Sequence, residues 1–139
     1  LHTNSAIPAV FLTGGIGITP VRSMLVEATK ETLSRRILLF YSNHAPEDTA
    51  FLEELRSVAT KNPQFTLVAT MTAMEHSRDN WTGETGSVTQ SMLERYIDDL
   101  TVPIYYSSGP ATLVAAMRKL LTAAGVSDDN IRTEEFVGD

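Results

Sequence analysis

Residues 13–20 read Thr13-Gly14-Gly15-Ile16-Gly17-Ile18-Thr19-Pro20 and follow the apolar run Ala9-Val10-Phe11-Leu12. A buried strand, a glycine turn and the first turn of a helix are expected in that order. The glycines strip the backbone of side chains where another molecule would meet it. The helix then aims its unpaired N–H groups and positive dipole end at the same point. That is the chemistry of a pyrophosphate cradle. The plainer alternative is a tight strand–helix connection without a ligand. Pro20 suits the first helical position, where no N–H is needed.

A second turn of the same kind stands far along the chain, at Ser107-Ser108-Gly109-Pro110. Ligands of open α/β sheets bind beyond the carboxyl ends of the strands, where the strand order reverses. If the strands carrying the two turns are neighbours there, the turns form opposite lips of one crevice. One lip would hold a pyrophosphate and the other the far ring of a dinucleotide.

The elements that must position these turns alternate between short apolar runs and amphipathic stretches. Strands are expected at Ala9 to Thr13, Arg36 to Ser42, Phe65 to Thr70, Pro103 to Ser107 and Ile131 to Val137. The run Ile37-Leu38-Leu39-Phe40-Tyr41 is apolar throughout, as in a strand buried on both faces of a parallel sheet. Helices are expected from Thr19 to about Thr32, with Val21, Met24, Leu25 and Ala28 inward, and from Asp48 or Thr49 to about Asn62. In the second, Phe51, Leu52, Leu55, Val58 and Ala59 face inward. A third helix runs from Ser87 or Thr89 to about Tyr96. A fourth follows Pro110 and ends at Gly125. Residues 72–86 form a long polar stretch around Trp81, which is read as a loop anchor. Short connections and right-handed crossovers give an α/β fold, a three-layer open parallel sheet of about five strands in the order 3-2-1-4-5, with helices on both faces.

The 139 residues suit one domain. The net charge of −6 argues against a nucleic-acid binder. Backbone amides and helix ends can still hold an anionic cofactor. No cysteine is present, which removes disulfides, thiolate metal sites and thiol catalysis. His2, His44 and His76 lack metal-ligand spacing, so no metal is expected. No apolar stretch approaches the roughly 20 residues of a membrane helix, and a cytoplasmic location is expected. The acid pairs Glu53-Glu54, Asp98-Asp99 and Asp128-Asp129 read as solvated or capping.

Generic nucleotide folds fit in outline only. The usual dinucleotide fingerprint needs a third glycine where Pro20 stands, and an acid at the end of the second strand, where the chain reads Tyr41-Ser42-Asn43. A methyltransferase would carry an acid before the glycine turn, and a phosphate loop would carry Gly-Lys-Ser/Thr. Neither occurs here.

Four stretches in register resemble the nicotinamide-binding half of the ferredoxin–NADP reductase superfamily. They are Gly14 to Pro20, Phe40 to Asp48, Ser108-Gly109-Pro110 and the tail Ile131 to Phe136. The resemblance covers nearly the whole chain. It implies an NAD(P)H-binding domain spanning residues 1–139, with residues 1–8 the end of an interdomain connection. It also implies an N-terminal flavin-binding barrel, carrying FAD or FMN, in a longer parent protein, and an electron-acceptor protein or small acceptor as partner. The chain opens at Leu1-His2, and the family's Arg-x-Tyr-Ser/Thr flavin motif does not occur in it. The alternative function on the same fold is a non-catalytic nucleotide-binding or interaction module.

The resemblance also distributes roles. Gly14, Gly15, Gly17, Ile18, Thr19 and Pro20 would line the pyrophosphate and nicotinamide, with plain helix capping as the alternative role of the Thr19 hydroxyl. Ser108 stands where many relatives have a cysteine beside the reactive carbon of nicotinamide. It is the first candidate catalytic residue, against the alternative of a strand-end serine satisfied by backbone. Gly109 and Pro110 admit the dinucleotide, and Leu113 replaces a common methionine. Glu135, in the tail, is the second candidate catalytic residue. Period-two alternation sets it opposite to Glu134 and Phe136, and Phe136 would contact the flavin side. Ser42 and Asn43, with His44, stand where an adenosine ribose would lie. A 2′-phosphate wants a nearby cation, so their chemistry leans toward NADH.

Overall fold

The computed structural model describes residues 4–30, 35–77 and 80–136. Its strands are β1 (Ala9–Gly14), β2 (Ile37–Asn43), β3 (Phe65–Met71), β4 (Glu84–Thr85), β5 (Ile104–Pro110) and β6 (Ile131–Phe136). Its helices are α1 (Ile18–Lys30), α2 (Leu52–Lys61), α3 (Gln90–Tyr96) and α4 (Ala111–Ala123). All strand pairs are parallel, in the order β4-β3-β2-β1-β5-β6. The five long strands keep the expected order. The addition is β4, two residues inside the polar stretch that carry too little apolar pattern to be read as a strand.

Alternation along the strands builds two cores. Val10, Leu12, Leu38, Phe40 and Tyr105 pack on one face against Met92, Leu93, Met117 and Leu121. Phe11, Ile37, Leu39 and Tyr41 pack on the other against Ile18, Val21, Leu25 and Leu55. Residues 37–41 are buried on both faces, as their continuous apolar run requires. Two tyrosine hydroxyls inside find carbonyls: Tyr41 donates to Ala50 at 3.2 Å and Tyr105 to Leu100 at 2.6 Å. Burial pushes the Tyr41 hydroxyl up to about 12 and raises that of Tyr105, where the Asp99 charge adds to the effect.

Helix ends follow their local chemistry. Thr89 caps α3 by accepting the Met92 N–H at 3.2 Å. At the end of α4 the Gly125 N–H bonds to the Thr122 carbonyl at 3.1 Å, and the Val126 N–H to Leu121 at 3.0 Å. Trp81 is anchored as expected, its Nε1 donating to the Glu84 carbonyl at 2.7 Å.

Three expectations need correction. The first helix begins at Ile18, after a 3-10 turn over Gly15–Gly17, so Thr19 and Pro20 are its second and third residues. Those positions still lie in the first turn, where N–H groups have no helical partner. Neither Asp48 nor Thr49 caps α2. Asp48 closes a 3-10 turn, Thr49 donates its hydroxyl to Ala45 at 2.9 Å, and α2 starts at Leu52. Phe51 does not face inward. It precedes α2 in the left-handed region, at φ 62°, and is 40% exposed. The expected ends at Thr32 and Val137 and the Ala28 side chain lie outside the described residues.

Candidate functional site

β1 and β5 are neighbours, and their register sets Thr13 beside Ser108. The glycine turn after β1 and the Gly109-Pro110 turn at the end of β5 therefore meet at one point of the carboxyl edge. They are in contact. A Cβ added at Gly17 would stand 2.2 Å from the Ser108 carbonyl oxygen and 2.7 Å from Thr13 Oγ1. A Cβ at Gly109, where φ is 147°, would meet the Gly14 carbonyl at 3.1 Å. Side chains at 17 or 109 would wedge the turns apart.

Ser108 is buried, and its Oγ donates to the Gly17 carbonyl at 3.0 Å. The bond joins the two turns across the sheet and leaves the oxygen lone pairs of Ser108 as acceptors. Leu113, one turn into α4, lies against both bends. Its Cδ2 would be 3.2 Å from a Cβ at Gly14 and 3.0 Å from one at Gly109. Gly15 is the open part of the cradle: its φ is 55° and nothing lies within 4 Å of where a Cβ would stand. There a ligand can reach the main chain at the amino end of the 13-residue α1. The Ile18 side chain is in the core, so only its backbone faces that end. Thr19 is exposed and Pro20 half-buried beside it.

Ser42 and Asn43, both half-buried, end β2 one strand away from this point. The Asn43 carbonyl accepts the Thr72 N–H at 2.9 Å, and the His44 carbonyl accepts that of Ala73 at 2.9 Å. Ser77 Oγ donates to Glu47 at 2.6 Å. The loops after β2 and β3 are thus bound into one rim. On the other side, the β5–β6 register sets Glu134 beside Ser108, Glu135 beside Gly109 and Phe136 beside Pro110. The tail backbone flanks the second turn; the side chains of those three residues lie outside the description.

Four buried side-chain polar atoms of the described residues have no hydrogen-bond partner. Three of them, Thr13 Oγ1, Asn43 Nδ2 and Ser107 Oγ, lie toward the carboxyl ends of β1, β2 and β5. Orphaned buried groups are costly and rare, and here they gather around the paired turns. A bare cradle, a helix amino end and incomplete hydrogen bonding fit an elongated anionic nucleotide. A cavity of about 130 Å³ adjoins Ser108 on the α1 side, lined by Pro20, Met24, Tyr106 and Arg132. The Arg132 guanidinium lies 5.7 Å from the Tyr106 ring centre. Among the described residues no cluster of three or more metal-ligating side chains occurs.

Sequence reasoning missed Phe51. Its ring lies under the Arg22 guanidinium at 4.7 Å, and Arg22 pairs in bidentate fashion with Glu54 at 2.9 Å for each bond. The hydrogen bond to its partner raises the Arg22 pKa and lowers that of Glu54. A groove of about 620 Å³ runs from Phe51 past Pro46 and Thr49 to Trp81. A bulky residue at positive φ carries strain and marks a place to look for function. Nothing in a Phe-Leu-Glu-Glu run announces that backbone.

Two glycine turns locked together on adjacent central strands of a parallel three-layer sheet define a dinucleotide-binding class of domain. The family model for the oxidoreductase NAD-binding domain matches residues 11–119. This chain belongs to that family. Similar curated proteins include one component of the Na(+)-translocating NADH-quinone reductase, found here from two organisms. The protein from Klebsiella pneumoniae is 34% identical over 133 residues, and that from Pseudomonas aeruginosa is 32% identical over 133 residues. Each alignment covers 93% of this chain and 32% of the relative, so the chain spans about a third of their length. Similar solved structures include a flavohemoglobin from Malassezia yamatoensis with bound FAD and heme. It has a TM-score of 0.82 and 23% identity, over 98% of this chain and 33% of that one. The FAD/NAD binding domain of nitric oxide dioxygenase from Vibrio cholerae O1 biovar El Tor gives 0.81 and 20%, over 97% and 53%. These two likenesses establish the fold. No helix among the described residues is long and apolar enough to cross a membrane.

Proposed function

We propose that this domain binds a reduced pyridine dinucleotide across the paired turns and presents its nicotinamide to a flavin, FAD or FMN, held by a separate barrel domain. The contact between Gly17 and the Ser108 backbone carries the reading, because it makes one cleft of two distant motifs. When bound, the dinucleotide supplies a hydride; the protein supplies position and electrostatics. The backbone at Gly14, Gly15 and Gly17, with the α1 amino end, Thr19 and Pro20, would hold the pyrophosphate. Ser108 would accept from the carboxamide while keeping its bond to Gly17, with Gly109, Pro110 and Leu113 forming the wall. Ser42 and Asn43 would meet the adenosine ribose. Glu135 and Phe136 would flank the nicotinamide and the flavin. The NADH named in the quinone reductase relatives supports NADH as the donor. Electrons would pass on to an acceptor protein or small acceptor, in the cytoplasm.

Titration with NADH and NADPH, followed by amide chemical shifts, tests the reading. Saturable shifts at Gly15, Gly17, Ser108 and Gly109 are expected, with tighter binding of NADH. No shifts at millimolar nucleotide would overturn it.

A further inference from the structure

We propose that the outer edge of β3 docks a second copy of this chain, strand against strand. β4 covers that edge only at Thr70 and Met71. The Gln64 carbonyl accepts the Ile37 N–H at 2.8 Å. Backbone groups alternate sides along a strand, so the even-numbered residues of β3 address β2 and the odd-numbered ones face outward. The Gly86 N–H reaches the Met71 carbonyl at 2.9 Å from the outer side, in agreement. Two outward groups are already engaged. Asn62 takes the Phe65 N–H at 3.0 Å, and the parallel pairing of Thr70 with Glu84 uses the Ala69 carbonyl. Among the described residues, the Phe65 carbonyl, both groups of Leu67 and the Ala69 N–H are left open.

This set is self-complementary under a two-fold rotation. Antiparallel pairing centred on Leu67 lets the two Leu67 residues exchange both hydrogen bonds. Each Ala69 N–H then meets the Phe65 carbonyl of the other copy. The engaged groups, Phe65 N–H and Ala69 carbonyl, fall opposite each other, where the pairing does not need them. A register slipped by two residues satisfies only half of the open groups. Residues 65–69 carry no charge and no proline, the usual guards of an exposed edge. Beside them lies a groove of about 450 Å³ walled by Ala59, Thr60, Trp81 and Tyr96, the last 38% exposed. An isologous contact of this type closes on itself as a dimer. It stands apart from the nucleotide reading: β3 is separated from β1 by β2, and no residue of the paired turns takes part.

The test uses the full polypeptide that carries this domain. Sedimentation across a concentration series is expected to show monomer passing to dimer. Amide exchange at Leu67 and Ala69 should slow at least tenfold as the dimer forms. Ala69→Pro removes an outward N–H, and Ala69→Lys places a charge on the edge; each is expected to remain monomeric with unchanged NADH titration. The lysine variant serves if the proline variant fails to fold. A monomer at every concentration to the millimolar range would overturn the proposal. So would a dimer whose Leu67 and Ala69 amides exchange at the monomer rate, or one indifferent to both substitutions. Protection of those amides by an extended segment of another protein, with this chain still monomeric, would also overturn it.

Discussion

The hydroxyl of Ser108 donates to the carbonyl of Gly17 across 91 residues of sequence, at 3.0 Å and out of contact with water. This bond fixes the spacing of the two turns. Removing it leaves a buried carbonyl without a donor, which costs about 1–3 kcal/mol. Ser108→Ala is therefore expected to lower unfolding free energy by roughly that amount in denaturant titration, and to weaken NADH binding in the same preparation. Ser108→Cys, with a weaker donor, should fall between the two.

The two glycines of the cradle are expected to respond unequally. A methyl group at Gly17 would overlap the Ser108 backbone, which cannot yield as a flexible side chain can. Gly17→Ala should cost upwards of about 3 kcal/mol or prevent folding. At Gly15 there is space but a positive φ, so Gly15→Ala should cost only about 1–2 kcal/mol. Thermal melts of the two variants side by side check the contrast.

Acid should loosen the link between α1 and α2. Arg22 holds the Glu54 carboxyl below its ordinary value of 4.5. A carboxylate whose pKa is lowered in the fold contributes stability that is in place above the unfolded value and lost as pH falls through the folded one. Stability curves from pH 6 to pH 3 should therefore be flatter for Glu54→Gln than for the parent protein. Coincident slopes would show that this half-exposed pair contributes nothing measurable.

Alkali should act through Tyr41. Its hydroxyl is raised from 10.0 to about 12 by burial, so the fold keeps a proton that the unfolded chain gives up. That contribution is complete below pH 10 and fades as pH climbs toward 12. Tyr41→Phe should lose about 0.5–1.5 kcal/mol at neutral pH, with the bond to Ala50. It should also show a shallower decline above pH 10. Denaturant midpoints across that range measure both.

The sheet was legible because burial on both faces leaves a plain mark. Ile37-Leu38-Leu39-Phe40-Tyr41 could be little else, and the strand order followed from short connections and handedness. The meeting of the turns was legible once strand order was fixed. Details set by backbone geometry were not. Phe51 reads as an inward helical residue because its neighbours Leu52 and Leu55 keep the period, yet the backbone enters the left-handed region at that residue. The Glu84–Thr85 strand is invisible because two residues have no period. The commitment of the Ser108 hydroxyl to Gly17, rather than to open space, depends on a contact of a kind that spacing alone does not specify.

β1 and β5 each have strands on both sides. Fraying begins at the margins of a sheet, so β4 or β6 can peel away and re-form while the mouth between Gly17 and Ser108 keeps its shape. The recognition apparatus is thus insulated from whatever happens at the borders. Additional domains, insertions or neighbouring molecules can be accommodated on those borders without retuning how the cradle grips its ligand.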